Sequence, residues 1–339
     1  MHIHALTVDR GGCFHYRIRQ PLTELRKRGH WTSWGSGVDF ETWDRATVIV
    51  QQLLNFPQTA DDWVRWCEAG DKLCVAEFDD DVTAVHRSPH HGSAYDDPET
   101  VPRMRRMVEA AHLVTVTTEA LAAVYRPWNP HVVVLPNAVP DWLTTTPPAP
   151  ENGRRLVLGY TGSASHLDDY QEWSAQVLGR WMAHRGDATV LRYYGLASRP
   201  LGMPLSWVSD VRPWQKQTDA YLASLRMDVG MAPLLDTPFN AGKSPIKALE
   251  YAAIGVPAVV TDHPVYRPVV EPGITGFLCR TPGEWIRALS QLWDDPSLRH
   301  RMGTAARERA RALHTQSRGI VEWERAYREA GERIGVDVG

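Results

Sequence analysis

Lys243, Lys247 and Glu250 stand close together in the stretch "PFNAGKSPIKALEYAAIGVPAVVT" (238–261), where a helix is expected to begin. Ser244 is a good N-cap and Pro245 a good first helical residue, which makes Lys247 the third; Gly255 then ends the helix before Pro257. A helix N-terminus carries partial positive charge and unpaired N–H groups, so a lysine there is unfavourable by about 0.3–1 kcal/mol. Either the two ammonium groups lie out in solvent, or something anionic balances them. A phosphate at this point would gain both charges and the free N–H groups together. Glu250 follows Lys247 by three residues and shares its face. It reads either as an ordinary ion pair worth about 0.2–0.5 kcal/mol, or as a carboxylate accepting hydrogen bonds from a vicinal diol such as a ribose.

Three other stretches carry residues of the right type. In "RGGCFHYRI" Gly11 and Gly12 form a glycine turn, which either lets a phosphate or sugar approach the backbone closely or is simply a tight turn. "EFDDDV" (77–82) offers Asp79, Asp80 and Asp81 as ligands for substrate hydroxyls, as a general base, as a Mg²⁺ site, or as a solvated acidic turn or helix cap. "HRSPHHG" supplies His86, His90 and His91, but Pro89 and Gly92 make it a loop and no second ligand cluster lies nearby, so a zinc site is disfavoured. The chain has no G-x-G-x-x-G fingerprint, no G-x-S-x-G elbow and no P-loop, which argues against a dehydrogenase, a serine hydrolase and a Walker-type NTPase.

The elements that must position these residues follow one pattern, repeated. "HIHALTVD", "ATVIVQQ", "KLCVAEF", "HLVTVTT" and "HVVVLPN" are short apolar, β-branched runs separated by amphipathic helical segments. Such alternation implies a mostly parallel sheet covered on both faces. "PDWLTTTPPAPENGRR" then reads as a linker, after which "RLVLGYTGSAS", "ATVLRYYG", "MDVGMAPL" and "PAVVT" start the pattern again. The C-terminal segment is expected to be helical, with Ile320, Trp323 and Tyr327 on one face. The fold class is therefore α/β: two doubly wound, Rossmann-like domains facing across a deep cleft. The loop "LDTPFNAGKS" leaves the carboxyl end of a strand, where such sheets bind ligands.

The chain has 339 residues, 43% hydrophobic, with a formal charge of −3, so length suits two domains and no global basic field signals extended nucleic-acid binding. Arg103, Arg105 and Arg106 are a local concentration, read as a basic groove or a solvated helix face. No apolar run approaches a membrane span, and the N-terminus lacks a basic segment followed by an apolar one, so a cytoplasmic location is expected. The cysteines Cys13, Cys67, Cys74 and Cys279 form no C-x-x-C pair and are expected to be reduced thiols.

The stretch 228–278, with its apolar-Pro-Leu strand end, its helix bearing a glutamate before a small-residue run, "GVPAVVT" and "GITGFL", resembles the donor-binding region of GT-B glycosyltransferases of the retaining, family-4-like group. "AAHLVTVTTEALAAVY" and "VVVLPNAVP" resemble the end of that group's first domain. The resemblance implies an acceptor domain over 1–145 completed by a crossover helix at 316–339, and a nucleotide-sugar domain over 150–315. It implies sugar transfer from a nucleoside-diphosphate sugar to a hydroxyl acceptor, with retention and without a metal or other cofactor. Glu250 matches the ribose-binding glutamate of the group's Glu, seven residues, Glu motif. The first glutamate would fall at Gly242 and is missing. The Arg and Lys that clamp the diphosphate in many relatives are missing too, so Lys243, Ser244 and Lys247 are expected to take their place with Gly12, Gly162 and Ser163, helped by Thr161. Asn240 and His166 are expected at the donor sugar, and Asp80 and His86 at the reaction centre. The acceptor stays open between a glycan, a small molecule and a modified base in DNA, as in phage-type DNA glycosyltransferases. A non-catalytic sugar-nucleotide binding module is the remaining alternative.

Overall fold

Short apolar runs form strands in both halves of the chain because alternate side chains bury on opposite faces of a sheet that helices cover on both sides. The computed structural model describes residues 1–7, 11–52, 57–85, 97–146, 155–162, 166–185, 188–195 and 209–339. It divides into two compact units. Unit 1 comprises Met1–Ala138, Ala241–Ser244 and Gln316–Gly339, and unit 2 comprises Val139–Asn240 and Pro245–Thr315.

Unit 1 holds a six-stranded sheet of β1 (His2–Leu6), β2 (Trp31–Gly35), β3 (Val48–Gln52), β4 (Leu73–Phe78), β5 (Leu113–Val116) and β6 (Val132–Val134), in the order β2-β1-β3-β4-β5-β6. Every pairing is parallel. Ile3, Ala5, Val48, Val50 and Val75 pack on one face against Leu22 and Leu25 of the helix Gln20–Lys27 and against Ile320, Trp323 and Tyr327 of the helix Gln316–Ile334. The C-terminal face read from the sequence is thus a buried one. Ile49, Cys74, Ala76 and Val114 pack on the other face against Trp63, Met104 and Met107. Arg17 is buried through this core. Its guanidinium donates to Glu77 at 2.6 and 3.1 Å, to the Leu135 carbonyl at 2.5 Å and to Asn137 Oδ1 at 3.0 Å, and lies 4.8 Å from the Trp323 ring centroid.

Unit 2 repeats the design with β7 (Leu156–Thr161), β8 (Thr189–Tyr194), β9 (Ser209–Arg212), β10 (Val229–Ala232), β11 (Ala258–Thr261) and β12 (Gly276–Cys279). The order β12-β11-β10-β7-β8-β9, again all parallel, reverses direction between β7 and β10. That reversal is the switch point outside which doubly wound sheets bind ligands. Trp181, Trp285 and Leu289 cover one face, and Leu222, Leu249 and Tyr251 the other. Trp173, Trp181 and Trp285 fill this core, whereas Trp142 and Trp214 are exposed.

Three details differ from the sequence reading. The change of unit falls at 138/139 rather than after residue 145, because Leu143 of the helix Asp141–Thr145 is buried in the unit 2 core. The residues around Gly12 are not a turn but the start of a helix, Gly12–Phe14, which runs through a π-helical turn at His15–Arg19 into Gln20–Lys27. Residues 241–244 belong with unit 1: Thr118 Oγ1 donates to the Gly242 carbonyl at 3.1 Å and Asn137 Nδ2 to Ser244 Oγ at 2.9 Å. Among the described residues no helix is long and apolar enough to cross a membrane, and all four cysteines are free thiols.

Candidate active site

In unit 2 the helix Ile246–Ala253 starts just beyond the carboxyl end of β10 and packs unusually close to that strand. A side chain at Gly230 would overlap the Tyr251 ring, so glycine is what lets the helix approach. Tyr251 then fixes the helix to the switch point. Its hydroxyl accepts from the Thr161 N–H at 3.1 Å, shares a hydrogen bond with Thr161 Oγ1 at 3.0 Å and donates to the Met231 carbonyl at 3.0 Å. Burial holds the Tyr251 phenol well above its ordinary range. Gly255, at φ 75°, ends the helix as expected, and Ile254 and Gly255 return N–H bonds to Glu250 and Ala252.

The helix start needs correction. Pro245 occupies the cap position and Ser244 makes no cap bond, because its hydroxyl accepts from Asn137 instead. Lys247 is therefore the second helical residue. It is not a solvated lysine: it is 8% exposed, with Nζ 5.7 Å from the Tyr160 ring centroid. Its charge also acts on Asp169, a buried carboxylate that accepts from the Leu235 N–H at 2.9 Å and from Asn240 Nδ2 at 2.8 Å and pairs with His166 Nδ1 at 3.2 Å. Burial works to raise the Asp169 carboxyl, but His166, the Leu235 N–H and Lys247 outweigh it and hold it below the usual range. Glu250, also buried, accepts from the Tyr221 hydroxyl at 2.7 Å.

The other residues singled out in this unit are placed as follows. Both amide hydrogens of Asn240 are used within the unit, on Asp169 and on the Leu235 carbonyl at 3.0 Å, so Asn240 braces the loop after β10. The Gly162 N–H donates to the Tyr194 carbonyl at 3.0 Å and is spent on the sheet rather than offered to a phosphate. His166 precedes the helix Leu167–Trp173 and turns its ring to Asp169. Ser163 lies outside the described residues, as do His86, His90 and His91 of unit 1.

In unit 1 the acidic run follows β4 directly. Asp81 closes a turn, accepting from the Thr83 N–H at 2.9 Å and hydroxyl at 2.6 Å. Asp80 pairs with Lys243 at 2.6 Å. Burial works against the Lys243 charge, yet Asp80 more than offsets it and raises the ammonium above its usual range. Lys243 is thus a partner of a carboxylate rather than a solvated cation. Asp79 differs from both neighbours: burial, and then the charge of Asp80, push its carboxyl up to about 7, the Cys13 thiol bonds to it, and its Oδ1 has no partner among the described residues. Beside this, Thr7 Oγ1 donates to Gln52 Oε1 at 2.7 Å across the β1/β3 switch point, and the buried Gln52 Nε2 has no partner among the described residues. A side chain at Gly12 would meet open space. Each arginine of the basic stretch has a carboxylate: Arg103 with Asp97 at 3.2 Å, Arg105 with Glu109 at 2.7 Å and Arg106 with Asp61 at 3.0 Å. Arg105 and Arg106 lie on a solvated helix face, whereas Arg103 is largely buried. Among the described residues no group of three or more His, Cys, Asp or Glu is placed to hold a metal ion.

Asp79, Asp169, Tyr221 and Gln52 are the residues that sequence reasoning passed over or left undecided. Gln51 and Gln52 did carry a signal, two amides ending an otherwise apolar strand. Tyr221 and Asp169 carried none, since each sits in an ordinary helical pattern and acquires its partner only through the fold.

Residues 217–309 match the family model described as "Glycosyl transferases group 1". No curated protein matches the chain. Among solved structures, a sucrose-phosphate synthase from Thermosynechococcus elongatus is similar at 15% identity and TM-score 0.67, over 98% of this chain and 100% of that one. A glycosyltransferase from Rickettsia africae gives 9% identity and TM-score 0.67, over 97% of each chain. The Anabaena protein HepE, solved in complex with UDP-glucose, gives 15% identity and TM-score 0.62, over 96% of this chain and 100% of that one. The two Rossmann-like domains are those of the GT-B fold. The matched residues 217–309 include Tyr221, Lys247 and Glu250.

Proposed function

We propose that the protein transfers a glycosyl group from a nucleoside-diphosphate sugar held by unit 2 to a hydroxyl acceptor held by unit 1, with retention and without a metal. The observation that carries the reading is the buried Lys247 in the first turn of a helix whose Glu250 faces a phenol, at the carboxyl side of the β7/β10 switch point. Charge develops on the leaving diphosphate, and a preorganised ammonium with first-turn N–H groups stabilises it in a site of low dielectric. Glu250, oriented by Tyr221, takes the ribose hydroxyls. HepE, with the same fold, binds UDP and UDP-glucose, which supports a nucleotide-sugar donor.

On the acceptor side, Asp79 rather than Asp80 suits a proton carrier, since a carboxyl near 7 holds and releases a proton at working pH while Asp80 neutralises Lys243. The acceptor is a glycan or small-molecule hydroxyl, because the arginines that a DNA acceptor would use are paired. Incubation with a panel of nucleotide-sugars, reading release of nucleoside diphosphate with and without EDTA, tests this. EDTA-resistant release from one donor is expected. Loss of release with EDTA contradicts the metal-free mechanism, and binding without release in the presence of sugar acceptors favours a binding module.

A further inference from the structure

A cavity of unit 2, about 320 Å³, opens at the opposite edge of the sheet from Lys247. Asp228 and Pro257, the residues immediately before β10 and β11, line it, so it lies at the amino ends of these parallel strands. The donor reading places its ligand at their carboxyl ends.

The lining is basic. Arg226, Arg299 and Arg307 reach it, with His300 and the Thr304 hydroxyl beside them. The three arginines are half-buried. Arg226 Nη1 donates to the carbonyls of Ala223 and Leu225 at 3.0 and 2.7 Å, and Arg299 Nη1 to those of Leu292 and Trp293. Carbonyls fix a guanidinium in place without cancelling its charge. Among the described residues no carboxylate lies within ion-pair distance of any of the three. Elsewhere in the same unit Arg192 meets Asp210 at 2.8 Å and Arg267 meets Asp262 at 2.7 Å. The one carboxylate in the lining, Asp228, accepts from the Val157 N–H at 2.8 Å.

Half-buried cations lose hydration, and without an opposite charge that loss is uncompensated. Guanidinium groups converging on a concave site match the oxygens of a phosphate bidentately, and the volume suits a small ligand rather than a macromolecular surface. We infer that this cavity binds a phosphate-bearing small molecule, at a site separate from the donor site. The unpaired guanidinium ions supply the recognition and the remaining lining receives the rest of the ligand.

Calorimetric titration of the full chain with inorganic phosphate, with a hexose 6-phosphate and with potassium chloride at matched ionic strength tests this. Saturable heat from the phosphate ligands alone is expected, weakened at least tenfold in Arg307→Glu, with UDP binding unchanged. Among the described residues Arg307 has no hydrogen-bond partner, so its replacement is expected to leave the fold in place. Arg307→Gln, which keeps the side-chain stem, reads the same loss if the charge reversal fails to fold. Tighter binding of the hexose phosphate than of phosphate identifies a phosphorylated metabolite, and equal binding identifies the phosphate group itself; both support the site. Heat equal to that of chloride, full affinity in both variants, or displacement of phosphate by UDP would overturn it.

Discussion

In unit 1 the lysine near the strand ends meets its carboxylate directly, Lys243 on Asp80 at 2.6 Å, whereas in unit 2 Lys247 is buried over the Tyr160 ring and acts on an Asp169 carboxylate already held by His166, Leu235 and Asn240. A direct ion pair settles its charges within the fold. A ring face and a shared carboxylate stabilise an ammonium over a longer range, by about 0.5–2 kcal/mol for the ring. The second arrangement suits a group that gains a stronger anion on binding. Two sheets of the same design thus use one residue type in two ways, and the strand ends differ accordingly: a threonine after β1, amides at the end of β3 and acids after β4 in unit 1, against a helix start bearing Lys247 and Tyr251 after β10 and the Tyr221 phenol after β9 in unit 2.

The comparison breaks most severely at the buried pair of unit 1. Removing one partner leaves the other charge uncompensated, so Arg17→Ala or Glu77→Ala should cost about 3–5 kcal/mol, seen as a large fall in the urea midpoint. Replacing both with apolar residues of similar size should cost less than either single change.

In unit 2 the equivalent weak point is packing. Gly230→Ala forces the added methyl into the Tyr251 ring. A loss of about 1–3 kcal/mol is expected, together with weaker UDP binding, because the helix carrying Lys247 and Glu250 must shift. Unchanged UDP affinity in a folded variant would show that the close approach does not position the site.

Asp79 gives a change of slope. Its folded carboxyl stands near 7 against an ordinary value of 3.8, so between about pH 4 and 7 the folded state binds the extra proton. Stability should fall as pH rises through that window and level off above it. Asp79→Asn should flatten this part of the pH profile in thermal unfolding, while Asp80→Asn, which removes only the second cause of the shift, should weaken the slope without abolishing it. The smallest effect belongs to Ser244. As an acceptor from Asn137, its replacement by Ala should cost about 0.5–1.5 kcal/mol in urea unfolding.

The strands that were legible, such as "ATVIVQQ" and "KLCVAEF", are continuous apolar runs in sheet interiors, where both faces are covered. Those that were not, "WTSWG", "SDVR" and "GFLC", are the edge strands β2, β9 and β12, where short length and polar or glycine residues suit an exposed edge and erase the pattern. Lys247 and Glu250 stood out because they interrupt the apolar helix "IKALEYAA". The partners that define their roles are distant in sequence and brought in only by the fold: Tyr221 lies 29 residues from Glu250, and Asp169, on which Lys247 acts, is held by Asn240 from 71 residues away. Ser244 misled for the same reason: local capping chemistry gave way to a hydrogen bond from Asn137, 107 residues away.

The most direct measurement is calorimetric titration of the donor nucleotide-sugar, or of UDP, into the wild-type chain and Lys247→Ala. A Kd at least tenfold weaker in a variant that keeps its unfolding midpoint is expected. Equal affinity in the two proteins would contradict the assignment of Lys247 to the diphosphate.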